Sequence, residues 1–396
     1  MAIIKVSPKT NITSLIASDE VSEGDVLILE EGIYHQVVFI NKSYIHILAK
    51  NQRVVFDGYG ELSNAFFLFG TTGVEVRGIK IRNYAYAGII VLFGSGNRIL
   101  SNRIKDAGER GVDIVRSSAN LVWKNEICLA RFGVLVETES SGNWIIENKV
   151  RDCIADCFES FFTESTGNAF ISNTGCSSGL NCFSAVGANC LVHRNTAFGA
   201  HYNGVALVLG RDCIALENKS KGNGSPINGT SNFSSPENTF IADNIINHNN
   251  EIGLYVTSDY SIIQNNRISC NDNIGLSLSP DSSNCLIFNN RIQCNAGDDI
   301  VDNGSDNNFI RNLTGCCDHW DREAEDRPEN SVMLTAESSG VSLTNKLQIE
   351  IQLEKAALAK LEERSERQPE HAKQSHQILI EQLKEKIAGW EALLQQ

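Results

Sequence analysis

The sequence predicts an all-β solenoid, a right-handed, single-stranded parallel β-helix of about ten coils followed by a C-terminal α-helical tail. Three observations predict it. An Asn recurs at one equivalent place every 22–26 residues, at Asn102, Asn125, Asn148, Asn173, Asn195, Asn218, Asn244, Asn266, Asn290 and Asn312. Short β-type runs flank each Asn, and a second run, usually led by Gly, follows about nine residues later. After Asn312 the pattern stops, and from Leu343 apolar residues return at heptad-like steps.

The elements follow in chain order. Residues 1–22 read as an N-terminal capping segment, with a short amphipathic helix opened by Asn11. Residues 23–315 read as the β-helix. Each unit runs strand, Asn corner, strand, variable loop, Gly-led strand. Asn suits the corner because it tolerates a left-handed backbone and its amide can bond the next Asn in the stack. Alternation turns Val112, Ile114, Val134, Val136, Leu276 and Leu278 inward as apolar ladders. Residues 316–342 read as a linker. Residues 343–396 read as a helical tail, with Leu347, Ile351, Glu354, Leu358 and Leu361 on one edge. Ile380, Leu383, Ile387, Trp390 and Leu394 form a second edge. Pro369 separates the two runs, so a hairpin or one broken helix fits equally.

Composition narrows the function classes. The tail carries 8 Lys/Arg and 9 Asp/Glu, leaving a body of 26 basic and 39 acidic residues, with net charge -13. An acidic body argues against nucleic acid and anionic membranes as partners. No stretch is apolar for the roughly 18 residues a transmembrane helix needs. The first residues, MAIIKVSPKT, lack a basic region leading into a long apolar one, so no Sec signal is expected. That favours cytoplasmic synthesis and leaves deposition on a spore or phage surface open. The 12 cysteines contain no CxxC pair and read as reduced core residues. No metal site is assigned.

On the Asn-spaced units and the Gly-led runs GVDIV at Gly111 and GVLVE at Gly133, the chain resembles the right-handed parallel β-helix superfamily. Its members include pectate-lyase-like and NosD-like repeat proteins, and the match covers about residues 20–315. The resemblance implies ligand contact along the outer face of the Gly-led strands. It does not imply one activity, because the superfamily holds lyases, hydrolases, epimerases, tailspikes and non-enzymes. The chain lacks the GHG segment of polygalacturonases and the DPHD segment of alginate epimerases.

Alternation places Asp113, Glu137 and Glu159 outward on three consecutive coils of that face. Asp113 and Glu159, two coils apart, would stand roughly 9–10 Å from each other at the backbone. Paired carboxylates at such spacing suit inverting glycoside hydrolysis, or Ca²⁺. With Arg131 they form the candidate catalytic set. Arg110, Asp156, His201 and Tyr202 are the candidate substrate contacts, with the arginines suited to a uronate. A solvated acidic face is the plainer alternative. Leu92, Val115, Phe161, Val186 and Val208 form an outward apolar stripe that another subunit or the C-terminal helices should cover. Three function classes follow. One is polysaccharide recognition, with or without lyase, hydrolase or epimerase chemistry. The second is a non-catalytic shell, spore or tail component, a trimer or dimer held by its tail. The third is a scaffold that binds another protein.

Overall fold

The computed structural model describes residues 1–162, 164–207, 211–224, 238–315, 343–365 and 370–394, apart from some side chains within the two C-terminal helices. The expected linker 316–342, Pro369 and Val208 lie outside the described residues. The chain is a parallel β-solenoid of about 13 turns with few helices, more turns than the ten that the Asn count predicts. The extra turns lie at the N-terminal end. There Ile3–Val6, Val26–Leu29, His46–Ala49 and Glu75–Arg77 pair in parallel, but their coils differ in length and lack the recurring Asn. Among the described residues no helix is long and apolar enough to cross a membrane.

The chain divides into two compact units, one of Met1–Ile154 with Ser342–Gln396, the other of Ala155–Val341. In the first, inward side chains stack in register. Leu27, Ile47, Val76, Ile99, Val122 and Ile145 form one buried column. Ile81, Ile104, Ile127 and Val150 form a second. Phe66, Ile89, Val112 and Val134 form the third, on the Gly-led strands. Helix α1, Ile12–Ala17, buries Ile12 and Ile16, and the Asn11 side chain accepts from the Ser14 amide as its cap. The glycine before the third column has a steric reason. A Cβ on Gly111 would meet the Gly133 carbonyl oxygen at 2.5 Å and Ile127 Cγ2 at 2.4 Å. The third corner thus needs a bare Cα.

The second unit repeats the scheme. Val192, Ala215, Ile241, Ile263 and Ile287 share one inward register, and Leu276 and Leu278 are buried as alternation predicts. Phe158 and Phe183 stack with ring centroids 4.8 Å apart. Cys157, Cys182, Cys190, Cys213 and Cys285 are buried. Cys294 departs from the expectation of reduced thiols, for it is disulfide-bonded.

The asparagines do one of the two jobs expected of them: they bond the next Asn in the stack, but they do not take the left-handed backbone. The left-handed corner residue is the one before each: Ser101, Lys124 and Glu147 in the first unit, and Ser172, Arg194, Glu217, Asp243, Asn265, Asn289 and Arg311 in the second. The Asn itself turns in and joins coils. The Asn195 amide N–H donates to Asn218 Oδ1 at 2.9 Å, while its Nδ2 donates to the Phe170 carbonyl at 2.8 Å and to Asn218 Oδ1 at 3.1 Å. Burial of the peptide groups at a corner explains this, since each needs a partner that no strand supplies. A second ladder, Asn97, Asn120 and Asn143, closes another corner of the first unit. A further ladder runs through Asn223, Asn249, Asn271 and Asn295 in the second unit.

Asn195→Val removes these bonds and leaves the Asn173 amide, which donates to Asn195 Oδ1 at 2.8 Å, without its acceptor. A loss of about 1–3 kcal/mol is expected, read from thermal or denaturant melts. A variant as stable as the parent would refute the bridging role.

Candidate functional site

The candidate site is built on the outward face of the Gly-led strands of the first unit. Phe67, Ile90, Asp113 and Leu135 occupy one outward register, and Phe69, Leu92, Val115 and Glu137 the next. Alternation thus predicts the direction of Asp113 and Glu137 correctly. Their surroundings differ from the solvated face of the plainer alternative, since Asp113 is 2% exposed and Glu137 1%.

The cover is the chain's own tail. Helices α2, Leu343–Arg364, and α3, Glu370–Leu393, form an antiparallel hairpin. It is tied by ion pairs of Lys355 with Glu391 and of Lys384 with Glu362, each at 2.6 Å. Ala357, Leu361, Leu379, Ile380 and Leu383 pack onto Phe39, Phe67, Tyr86, Ile90 and Leu92, with Phe69 and Val115 at the margin. These tail residues therefore lie on the solenoid, which is one of the two destinations the sequence leaves open beside self-association. Isolated helices of this length are marginal in water, and this apolar contact stabilises them.

Beside the apolar patch lies a buried ion cluster. A register shift between Ala107 and Arg110 sets Arg110 opposite Phe132. The shift sits at Gly108, where a Cβ would meet the Ala85 carbonyl oxygen at 2.3 Å. Arg110 is 0% exposed, its guanidinium 5.1 Å from the Tyr86 ring centroid and 5.6 Å from that of Phe132. Its Nη2 bonds Glu354 Oε1 of α2, and its Nε lies 3.5 Å from Asp113 Oδ2. Lys386 of α3 places Nζ 2.8 Å from Glu137 Oε1 and 2.7 Å from Oε2, and 3.2 Å from Glu354 Oε1. Arg131 Nη1 holds Glu109 Oε2 at 3.3 Å. Arg110 Nε and Nη1, Asp113 Oδ1 and Glu354 Oε2 are buried without a hydrogen-bond partner among the described residues.

Burial and then the charge of Glu137 push the Asp113 carboxyl up to about 7, against the opposing pull of Arg110 and Lys386. Burial also pushes Glu354 up, but Arg110, Lys386 and Arg131 outweigh it and hold that group at about 2. Two buried carboxyls in one cluster are thus driven apart, the condition under which one stays protonated near neutrality beside ionised neighbours.

The remaining candidates belong to the second unit. Glu159 is 2% exposed and accepts from Ser184 Oγ at 3.5 Å. Asp156 accepts from the Asn181 amide at 2.6 Å and from its Nδ2 at 3.2 Å, so it holds a coil corner. His201 and Tyr202 are half-buried and meet edge to face at 5.1 Å between centroids. Phe161 and Val186 of the apolar stripe are buried. Tyr86, Glu354 and Lys386 escaped the sequence reading of the site. One signal did exist: Glu354 is the lone charge on an otherwise apolar heptad-like edge.

Among the described residues no group of three or more His, Cys, Asp or Glu is placed to hold a metal ion. At the carboxylates first considered for Ca²⁺, Arg110 and Lys386 supply the positive charge instead.

Two family models match the sequence: right handed beta helix region over residues 35–175, and periplasmic copper-binding protein (NosD) over residues 158–314. The donor sets described above do not fit a copper ion. No curated protein matches the chain. Among solved structures, the catalytic domain of a GH87 alpha-1,3-glucanase in complex with nigerose is similar at a TM-score of 0.56 and 13% identity, covering 81% of this chain and 69% of that one. Another form of such a domain, with tetrasaccharides, gives 0.53 and 13%, covering 79% and 68%. The periplasmic alginate epimerase AlgG gives 0.49 and 12%, covering 78% and 83%. At these identities the likeness is one of fold.

The two displaced carboxyls have opposite consequences with pH. The raised Asp113 weakens the closed form as pH climbs from its usual 3.8 to about 7. The lowered Glu354 contributes stability that is present above its usual 4.5 and lost as pH falls toward about 2. Melting temperature should therefore decline between about pH 5 and 7, inside the window of Asp113, and Asp113→Asn should flatten that decline. Parallel profiles for the two proteins would show that Asp113 does not govern it.

Proposed function

The chain belongs to the right-handed parallel β-helix superfamily, and from that premise we propose that it recognises a polysaccharide on the Gly-led strand face of its first unit. Arg110, Asp113, Arg131 and Glu137 are the contact set. One observation carries this reading. Arg110 and Asp113 are buried in a polar cluster yet keep hydrogen-bonding atoms without partners. Such atoms are costly in a packed core and suit a site that meets hydroxyls or carboxylates of a ligand. Asp113, protonated near neutrality, is the group suited to give a proton to a leaving oxygen, as lyase, hydrolase or epimerase chemistry requires. The arginines would neutralise acidic substituents. Glucanase domains of the same fold have been solved with bound oligosaccharides, which supports the choice of ligand class.

A non-catalytic structural or assembly role is the second reading. The closure of this face by the hairpin favours it, because a covered face offers a glycan no entry in the closed form.

The two readings separate in one experiment. Full-length wild type and Glu354→Gln are tested for binding and product release against acidic and neutral polysaccharides, each with and without Asp113→Asn. Saturable binding is expected, and Asp113→Asn should lower turnover by about 10²-fold or more. No binding by any form, together with a defined oligomer in light scattering, would replace the first reading with the second.

A further inference from the structure

We propose that the C-terminal hairpin is a displaceable, autoinhibitory cover, keyed to the Gly-led face by two reciprocal charge pairs, Glu354 on Arg110 and Lys386 on Glu137. The inference rests on the glycan-binding reading of that face and adds its regulation.

Among the described side chains of α2, Glu354 breaks the buried apolar side. Ile351, Ala357 and Leu361 are buried there, and Glu354, 0% exposed, sits among them. An apolar residue would be buried at that position without an ion's desolvation cost, which is several kcal/mol even after relaxation. The cost is offset only where Arg110 meets the carboxylate. A pair of this kind adds little net stability and much positional selectivity. Lys386 repeats the pattern with opposite sign on α3, meeting Glu137. The hairpin thus brings an anion to the cation of the face and a cation to its anion. Those are the two charges that an acidic or hydroxyl-rich ligand and its counter-ion would otherwise supply.

The fit is also incomplete. Arg110 Nε and Nη1, Asp113 Oδ1 and Glu354 Oε2 make no hydrogen bond among the described residues with the hairpin in place, Nε standing 3.5 Å from Asp113 Oδ2. A segment evolved as permanent core would leave few such atoms. The rim is open: Arg116 Nη1 reaches Gln382 at 3.3 Å and Glu385 at 3.4 Å, and the Glu385 side chain is 60% exposed. A cleft beside this rim is lined by Asp113, Val115 and Glu137 from the face and by Leu383 and Lys386 from α3. A ligand could reach Asp113 from that edge as the hairpin lifts.

Hydrogen exchange on the full-length protein tests the proposal, with Glu354→Arg, which sets two cations together, and Glu354→Gln, which keeps size and loses charge. Amides of both helices should exchange at least about tenfold faster in Glu354→Arg and by a smaller factor in Glu354→Gln. Amides of Arg103–Val115 and Glu126–Glu137 should keep wild-type protection. Affinity for a polyuronate or neutral glucan oligosaccharide should rise by a similar factor. Loss of protection in helices and strands together, in both variants, would overturn the proposal by making the hairpin part of the core. Faster helix exchange with affinity equal to wild type would overturn the inhibitory role. Exchange confined to the hairpin, with no glycan bound by any form, would uphold the displaceable cover and remove the glycan reading of the face.

Discussion

Each coil of this chain has apolar sides and no second layer to bury them against, so the fold rests on stacking successive coils in register. Register is what makes Val76, Ile99, Val122 and Ile145 one column. It also fixes everything on the outside, because a shift by one residue would turn Asp113 and Glu137 inward and Val112 and Val136 outward. The asparagine ladders pin the register at the corners, where strand pairing ends. They work by joining the buried amide of one coil to the side chain of the next, so a slip would strand several peptide groups at once.

This explains which parts were legible in the sequence. Stacked corners repeat a chemical need at every turn, so the Asn period is visible without a structure. The first coils satisfy the same need with other residues: Gln36 Oε1 accepts from the Ile12 amide, and Tyr34 Oη donates to the Val6 carbonyl. Without a common residue type they left no period to count, and the turn number came out low. The assignment of the left-handed conformation to Asn failed for a related reason. At a solenoid corner the exposed residue can take the strained backbone with any side chain, as Lys124 and Glu217 do, whereas the buried position beside it needs an amide. Composition at the corner therefore reports the hydrogen bond and not the dihedral angle.

The outward face shows the limit of alternation. Period two gave the direction of Asp113, Glu137, Leu92 and Val115, but exposure depends on what comes back to cover them. That came from residues more than 200 positions away, Glu354 and Lys386, whose place no local rule links to coils of the first unit. The apolar stripe was a partial clue, since it demanded a cover, and the apolar edges of the tail demanded a surface. Sequence spacing offered two answers, folding back onto the stripe or self-association, and could not choose between them.

Energetics of the cluster connect this packing to function. The apolar contact between hairpin and face is non-directional and would tolerate sliding by a turn of helix. Charges do not tolerate it: a shift of about 5.4 Å along α2 would bury Glu354 against an apolar neighbour and leave Arg110 alone. The closed form is thus specified by the ion pairs and held by the apolar patch. Because Arg110 and Asp113 remain incompletely bonded in that form, the cluster is less well satisfied than the strands beneath it. The join between hairpin and solenoid lies directly over Arg110 and Asp113, which keep unused bonding capacity, and opening there would expose them without disturbing a ladder.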